Sequence, residues 1–146
     1  LQKSDWVIDA VGILFPSKSK GTTYEKNSIQ PAKIIIDTIV NSENQCLFIS
    51  ANDGPFFMND YMKAKKEVEA YGQKCLKSRF VSVFPGIVYD ASRKSSYFPA
   101  RLLEPLVKIP IFSFLKSYRP IKRSQFAKEI HKIIEGKESS LTTRIK

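Results

Sequence analysis

The chain is an α/β domain on a parallel sheet by its sequence pattern, and three observations carry that assignment. Short apolar runs bounded by polar turn residues recur at Trp6–Gly12, Cys46–Ile49 and Phe80–Phe84, the pattern of strands buried on both faces. Two segments with helical spacing of apolar residues separate them. The alternation of strand and helix at these lengths indicates βαβ units, whose right-handed crossovers are expected to place helices on both faces. The ligand side of such a sheet lies beyond the carboxyl ends of its strands, where Val11-Gly12, Ser50-Ala51 and Pro85-Gly86 would cluster.

The elements follow in order. Trp6–Gly12 has the character of a strand in mid-sheet, and its position so near Leu1 suggests that the polypeptide extends further N-terminally. Phe15 to Gly21 is polar and turn-rich, and from about Tyr24 to Val40 the residues Ile29, Ala32, Ile35, Ile36, Ile39 and Val40 recur at helical spacing. Pro31 inside that segment removes a backbone donor and should kink the helix or mark its restart. After the second strand, Asn59 and Asp60 are N-cap candidates for a helix to about Leu76, with Tyr61, Ala64, Lys65, Val68, Tyr71 and Cys75 on one face. Gly72 sits on that stripe, where a missing side chain permits close packing. Phe80–Phe84 is the third strand, ended by Pro85-Gly86, and Ile87–Asp90 continues extended.

The organisation is thus a sheet-bearing part over residues 1–92, an irregular helical cap with a closing helix over 93–136, and a polar flexible tail over 137–146. Within the cap a helix is expected from about Pro99 to Val107, an apolar stretch at Ile109–Phe112 and a last helix from about Ser124 to Glu135. Phe112, Phe114, Leu115 and Tyr118 either pack internally or form a patch for another subunit.

At 146 residues the chain has the size of one domain able to bury a core. Its net charge of +10 is either a solvated basic surface or suits an anionic partner such as an acidic membrane surface, an acidic subunit or nucleic acid. The lysines are spread from Lys18 to Lys146, with no arginine-rich helix and no aromatic-interleaved basic segment, which argues against a dedicated nucleic-acid module. Cys46 and Cys75 are too far apart in sequence for a metal motif and behave as small apolar residues. With His131 as the single histidine, most zinc and Ser-His-Asp schemes fall away. No apolar run approaches the roughly 20 residues that span a bilayer.

The chemistry that remains centres on Tyr61-Met62-Lys63-Ala64-Lys65 and on Ser50 at the end of the preceding strand. Four residues apart on a helix, Tyr61 and Lys65 stack on one face, and an ammonium held there would lower the tyrosine pKa so that the phenol exchanges a proton with a carbinol or carbonyl. Ser50 would hydrogen-bond the same substrate oxygen. The spacing alone is weak, since Tyr118-Arg119-Pro120-Ile121-Lys122 satisfies it too; the order strand, serine, loop, helix distinguishes the first match. The bland alternative makes Tyr61 the end of a core stripe and Lys65 a solvated helix lysine.

Asp5 to Leu14, Tyr24-Glu25-Lys26-Asn27, Phe48-Ile49-Ser50-Ala51, Tyr61 to Glu69, Val83 to Asp90 and Arg119-Pro120 with Phe126-Ala127 together resemble the atypical short-chain dehydrogenase/reductases. The similarity spans most of the chain to about Glu135. Within the family it is nearest the mitochondrial group associated with coenzyme Q synthesis and, more distantly, the nucleotide-binding accessory subunit of respiratory complex I. The resemblance implies the C-terminal part of a Rossmann-like, doubly wound parallel sheet, with the N-terminal glycine-rich βαβ unit missing from this sequence. It implies Ser50, Tyr61, Lys65 and Asn27 as the catalytic positions, Asn27 organising a water relay to the lysine. Val11, Gly12, Ser50, Ala51, Tyr61, Lys65, Pro85 and Gly86 would line the cofactor NAD(P)(H), bound only with the glycine-rich unit present. Phe84 stands where the family commonly has arginine. The functions implied are a mitochondrial accessory or assembly subunit, on the matrix side or at the inner membrane, among the protein subunits of a respiratory-chain complex or coenzyme Q assembly. The first alternative is an active NAD(P)-dependent oxidoreductase on a small or quinone-pathway carbonyl. The charge alone adds an RNA- or ribosome-associated reading.

Overall fold

The computed structural model describes residues 5–54, 56–90 and 120–145. Among them the chain is α/β, with a three-stranded parallel sheet and three α-helices. It divides into two compact units, residues 1–50 with 54–83 and residues 51–53 with 84–146.

In the first unit β1 (Trp6–Asp9), β2 (Gln45–Ile49) and β3 (Phe80–Val83) pair in sequence order, all parallel. The register places Val7 beside Cys46 and Cys46 beside Phe80, so these side chains share one face. β1 stops at Asp9 rather than at Gly12, because the Asp9 carboxylate accepts from the Val11 amide at 2.9 Å and turns the chain.

Between β1 and β2 the chain opens with a π-helical turn, Glu25–Ile29, and continues as α1 (Gln30–Ile39). Pro31 lies in the first turn of α1, where the i→i−5 pairing of the π-helical turn gives way to α-helix, and its absent N–H falls at that change of pairing. Helix α2 (Asn59–Leu76) returns the chain to β3 through a short 3-10 turn, Lys77–Arg79. Asn59 and Asp60 begin the helix rather than precede it, and the N-cap position falls on Met58.

Among the described residues of this unit both helices lie on one face of the sheet, where helices on both faces are expected. With strand order β1-β2-β3, successive right-handed crossovers bring each helix back to the same side. Accordingly α1 and α2 share one core, in which Ala32, Ile36, Ile39, Val68 and Leu76 meet Val7, Cys46, Phe48 and Phe80 of the sheet. Gly72 faces the Phe80 ring, and a Cβ there would overlap it. Arg79 donates to the carbonyls of Ile39, Val40 and Asn44 at 3.3, 2.8 and 2.9 Å, closing the C-terminal end of α1 with a cation where the helix dipole favours one. On the opposite face Ile8 is half exposed, and the outer edge of β1 pairs with no strand among the described residues.

In the second unit β4 (Val88–Tyr89) pairs in parallel with β5 (Ile121–Lys122), and α3 (Arg123–Ile134) follows directly. The helix expected at 99–107, the stretch Ile109–Phe112 and the aromatic cluster to Tyr118 lie outside the described residues. Residues 137–145, expected to be a flexible tail, are instead fastened. Leu141 is buried and its carbonyl accepts from the Phe84 amide at 2.7 Å, which also ends β3 one residue short of Phe84. The Asn52 side chain both donates to the Ile145 carbonyl, at 3.1 Å, and accepts from its amide, at 2.8 Å, imitating a strand pairing. The Arg144 guanidinium lies 4.4 Å from the Phe84 ring centre and donates to the Ala51 carbonyl.

Candidate functional site

The site begins with α2, whose apolar stripe is fixed by the core and therefore fixes the three polar side chains on its inner face. Tyr61, Lys65 and Glu69 follow one another at four-residue intervals and rise along that face together. Because β2 runs beneath them, its last residues meet two of these groups. Lys65 Nζ donates to the Ile49 carbonyl at 2.7 Å, and the Ser50 hydroxyl donates to the Glu69 carboxylate.

Lys65 is therefore not a solvated helix lysine. It is 7% exposed, with its ammonium 4.7 Å from the Phe48 ring centre and 5.8 Å from that of Tyr61. Burial lowers its pKa from the ordinary 10.5, opposed by the charges of Asp9 and Glu69. Asp9, at the carboxyl end of β1, is 1% exposed; burial raises its carboxyl above 3.8, against the Val11 amide and the Lys65 charge. The charges of both carboxylates thus act on the ammonium.

Tyr61 departs from expectation in the sense of its shift. Its phenol is raised above 10.0, first by burial and then by Tyr24, whose ring lies 6.2 Å from its own. Lysine proximity does not lower it, because the ammonium is turned to the Ile49 carbonyl and the phenol is withdrawn from water.

The turn after β1 closes the site from the other side. Gly12 adopts φ of 151°, which favours glycine, and a Cβ there would stand 3.3 Å from Ser28 Oγ and 3.7 Å from Lys65 Nζ. Ser28 Oγ accepts from the Ile13 amide at 3.1 Å. The neighbouring Asn27 turns its amide oxygen back to the Thr23 amide at 3.0 Å, so the side chain that reaches the lysine's surroundings is Ser28, one residue on. Both belong to the π-helical turn, a local widening of the helix that frequently accompanies function.

No family model matches the chain. No curated protein matches it either. The function therefore rests on the geometry.

Of the predicted residues, the structure gathers Gly12, Ser50, Tyr61 and Lys65 at the carboxyl ends of β1 and β2. Val11 follows the same strand and is exposed. Ala51, Pro85 and Gly86 belong to the second unit, where the Asn52 amide donates to the Pro85 carbonyl at 2.9 Å. Sequence reasoning missed Asp9, Ser28 and Glu69. The signal for Asp9 was an acidic residue inside an apolar strand, and that for Glu69 was the continuation of the Tyr61–Lys65 interval by four; Ser28 had none. Among the described residues no cluster of His, Cys, Asp and Glu could hold a metal ion.

Proposed function

We propose that this chain is a nucleotide-binding protein of the short-chain dehydrogenase type that serves a mitochondrial membrane assembly as an accessory subunit. The observation that carries the proposal is the stacking of Tyr61 and Lys65 on α2 at the carboxyl end of β2, beside a glycine turn that leaves room at Gly12. That place is the ligand side of a parallel sheet. The outer edge of β1, unpaired among the described residues, supports a further βαβ unit beside it, carrying the glycine-rich turn on which the pyrophosphate of NAD(P)(H) would rest.

The hydrogen bonds favour holding a nucleotide over turning one over. The Ser50 proton is committed to Glu69 and the Lys65 ammonium to Ile49, and burial makes the Tyr61 phenol a weaker acid. Each group needed for proton transfer already serves as framework. The second reading, an oxidoreductase with Tyr61 as acid/base, rests on the Tyr61 ring lying within 5.8 Å of Lys65 Nζ.

Isolation of the tagged native protein by gentle detergent extraction of mitochondria tests the proposal, with its size, its partners and its NAD(P)(H) content measured together. A large membrane complex with near-stoichiometric nucleotide is the expected result, unchanged in Tyr61→Phe. A small species free of nucleotide would sink it. Turnover lost by orders of magnitude in Tyr61→Phe would move the assignment to the oxidoreductase.

A further inference from the structure

The outer face of α2 points away from the sheet and carries a row of exposed lysines. At about 100° per residue, Lys63, Lys66, Ala70 and Lys74 fall within an arc of about 80°, opposite Val68 and Gly72 of the buried side. Lys77, just past the helix end, extends this ridge, whose length is roughly 20 Å. All four lysines are exposed. Two acids of α2 border the ridge on one side, Glu67 paired with Lys33 at 2.7 Å and Asp60 with the ridge's own Lys63 at 3.3 Å, while Glu69 on the other side is bonded to Ser50. Lys66, Lys74 and Lys77 form no ion pair among the described residues.

We infer that this lysine ridge docks the protein on the surface of a bilayer rich in acidic phospholipid. Charge complementarity selects an anionic occupant, in keeping with the chain's net +10. Its geometry selects a plane, because a straight convex ridge meets a flat sheet of headgroups along its whole length. The residue type agrees. The ridge holds no arginine for bidentate phosphate recognition, and Arg79 nearby is consumed by the carbonyls closing α1. Docking of this kind is surface association driven by charge, with salt dependence as its signature.

The test is co-sedimentation of the full chain with vesicles of phosphatidylcholine alone or with 30% phosphatidylserine, at low and high salt, with poly(U) RNA measured alongside. Binding to the acidic vesicles alone, abolished by high salt, is expected. Lys66→Gln/Lys74→Gln/Lys77→Gln should weaken it on the order of 100-fold, at about 1 kcal/mol per lysine. These positions are exposed, and an unchanged circular dichroism spectrum and melting temperature will show the variant folded. Equal binding by the triple variant, no binding to acidic vesicles at low salt, or tighter binding to poly(U) than to vesicles would each overturn the inference.

Discussion

In its second half α2 meets the sheet with Val68, Gly72 and Leu76 against Phe48 and Phe80; in its first half it meets the same sheet with Tyr61 and Lys65, and Glu69 joins them at the junction. The apolar half rests on close packing, down to a glycine that leaves room for the Phe80 ring. The polar half rests on an ammonium and a carboxylate that tie Ile49, the last residue of β2, and Ser50 just after it. Apolar contact alone would have packed the second region at least as well. Burying charge there has a stability cost, and such costs concentrate where a protein binds or reacts.

Removing the cation is the largest way to break this contrast. Lys65→Met leaves the Ile49 carbonyl without its donor and Asp9 without its compensating charge, and should cost about 3 kcal/mol in urea unfolding. Adding Asp9→Asn should restore part of that loss, since the uncompensated carboxylate goes with it. A loss no greater than that of an exposed lysine would show that the polar half carries no strain of charge. In the apolar half, Gly72→Ala forces the Phe80 ring aside and should cost about 2 kcal/mol, with no change in pH dependence.

Lys77 sharpens the comparison from the far end of the helix. Its φ of 52° is one that side-chain-bearing residues rarely adopt, and Lys77→Gly should raise stability by about 1 kcal/mol, seen as a higher melting temperature.

The difference between the halves also has a pH signature. Because Lys65 is lowered from 10.5, the folded protein holds fewer protons than the unfolded chain just below that pH. Stability contributed by this group therefore rises as pH climbs through the lowered value towards 10.5. Wild type should gain on Lys65→Met across that window in unfolding experiments. Asp9 acts on the acid side: its carboxyl is raised above 3.8, so its penalty at neutral pH is relieved as pH falls through the raised value.

How far this was legible in the sequence follows the same division. The strand at Cys46–Ile49, the α2 stripe and the Tyr61–Lys65 pair come from local periodicity, and the structure keeps them. Glu69 lies on the same interval, yet its bond to Ser50 depends on the tilt of α2 over β2, which periodicity does not contain. Ser28 reaches the site only because a π-helical turn shifts it past Asn27, and such a turn has no compositional mark. The C-terminal residues 137–145 look like a solvated tail from their polarity. They are held by one side-chain amide and one guanidinium, Asn52 and Arg144, whose partners are far away in sequence. The helices fall on one side because strand order, rather than any helix's own pattern, decides the face.

The most direct measurement is the titration of the Lys65 ammonium, followed by carbon NMR of its Cε in lysine-labelled protein and assigned by Lys65→Arg. A midpoint below 10.5, lowered further in Asp9→Asn as one raising charge is removed, is the predicted result. A midpoint at or above 10.5, indifferent to Asp9→Asn, would mean that Lys65 is solvated and that no site is built around it.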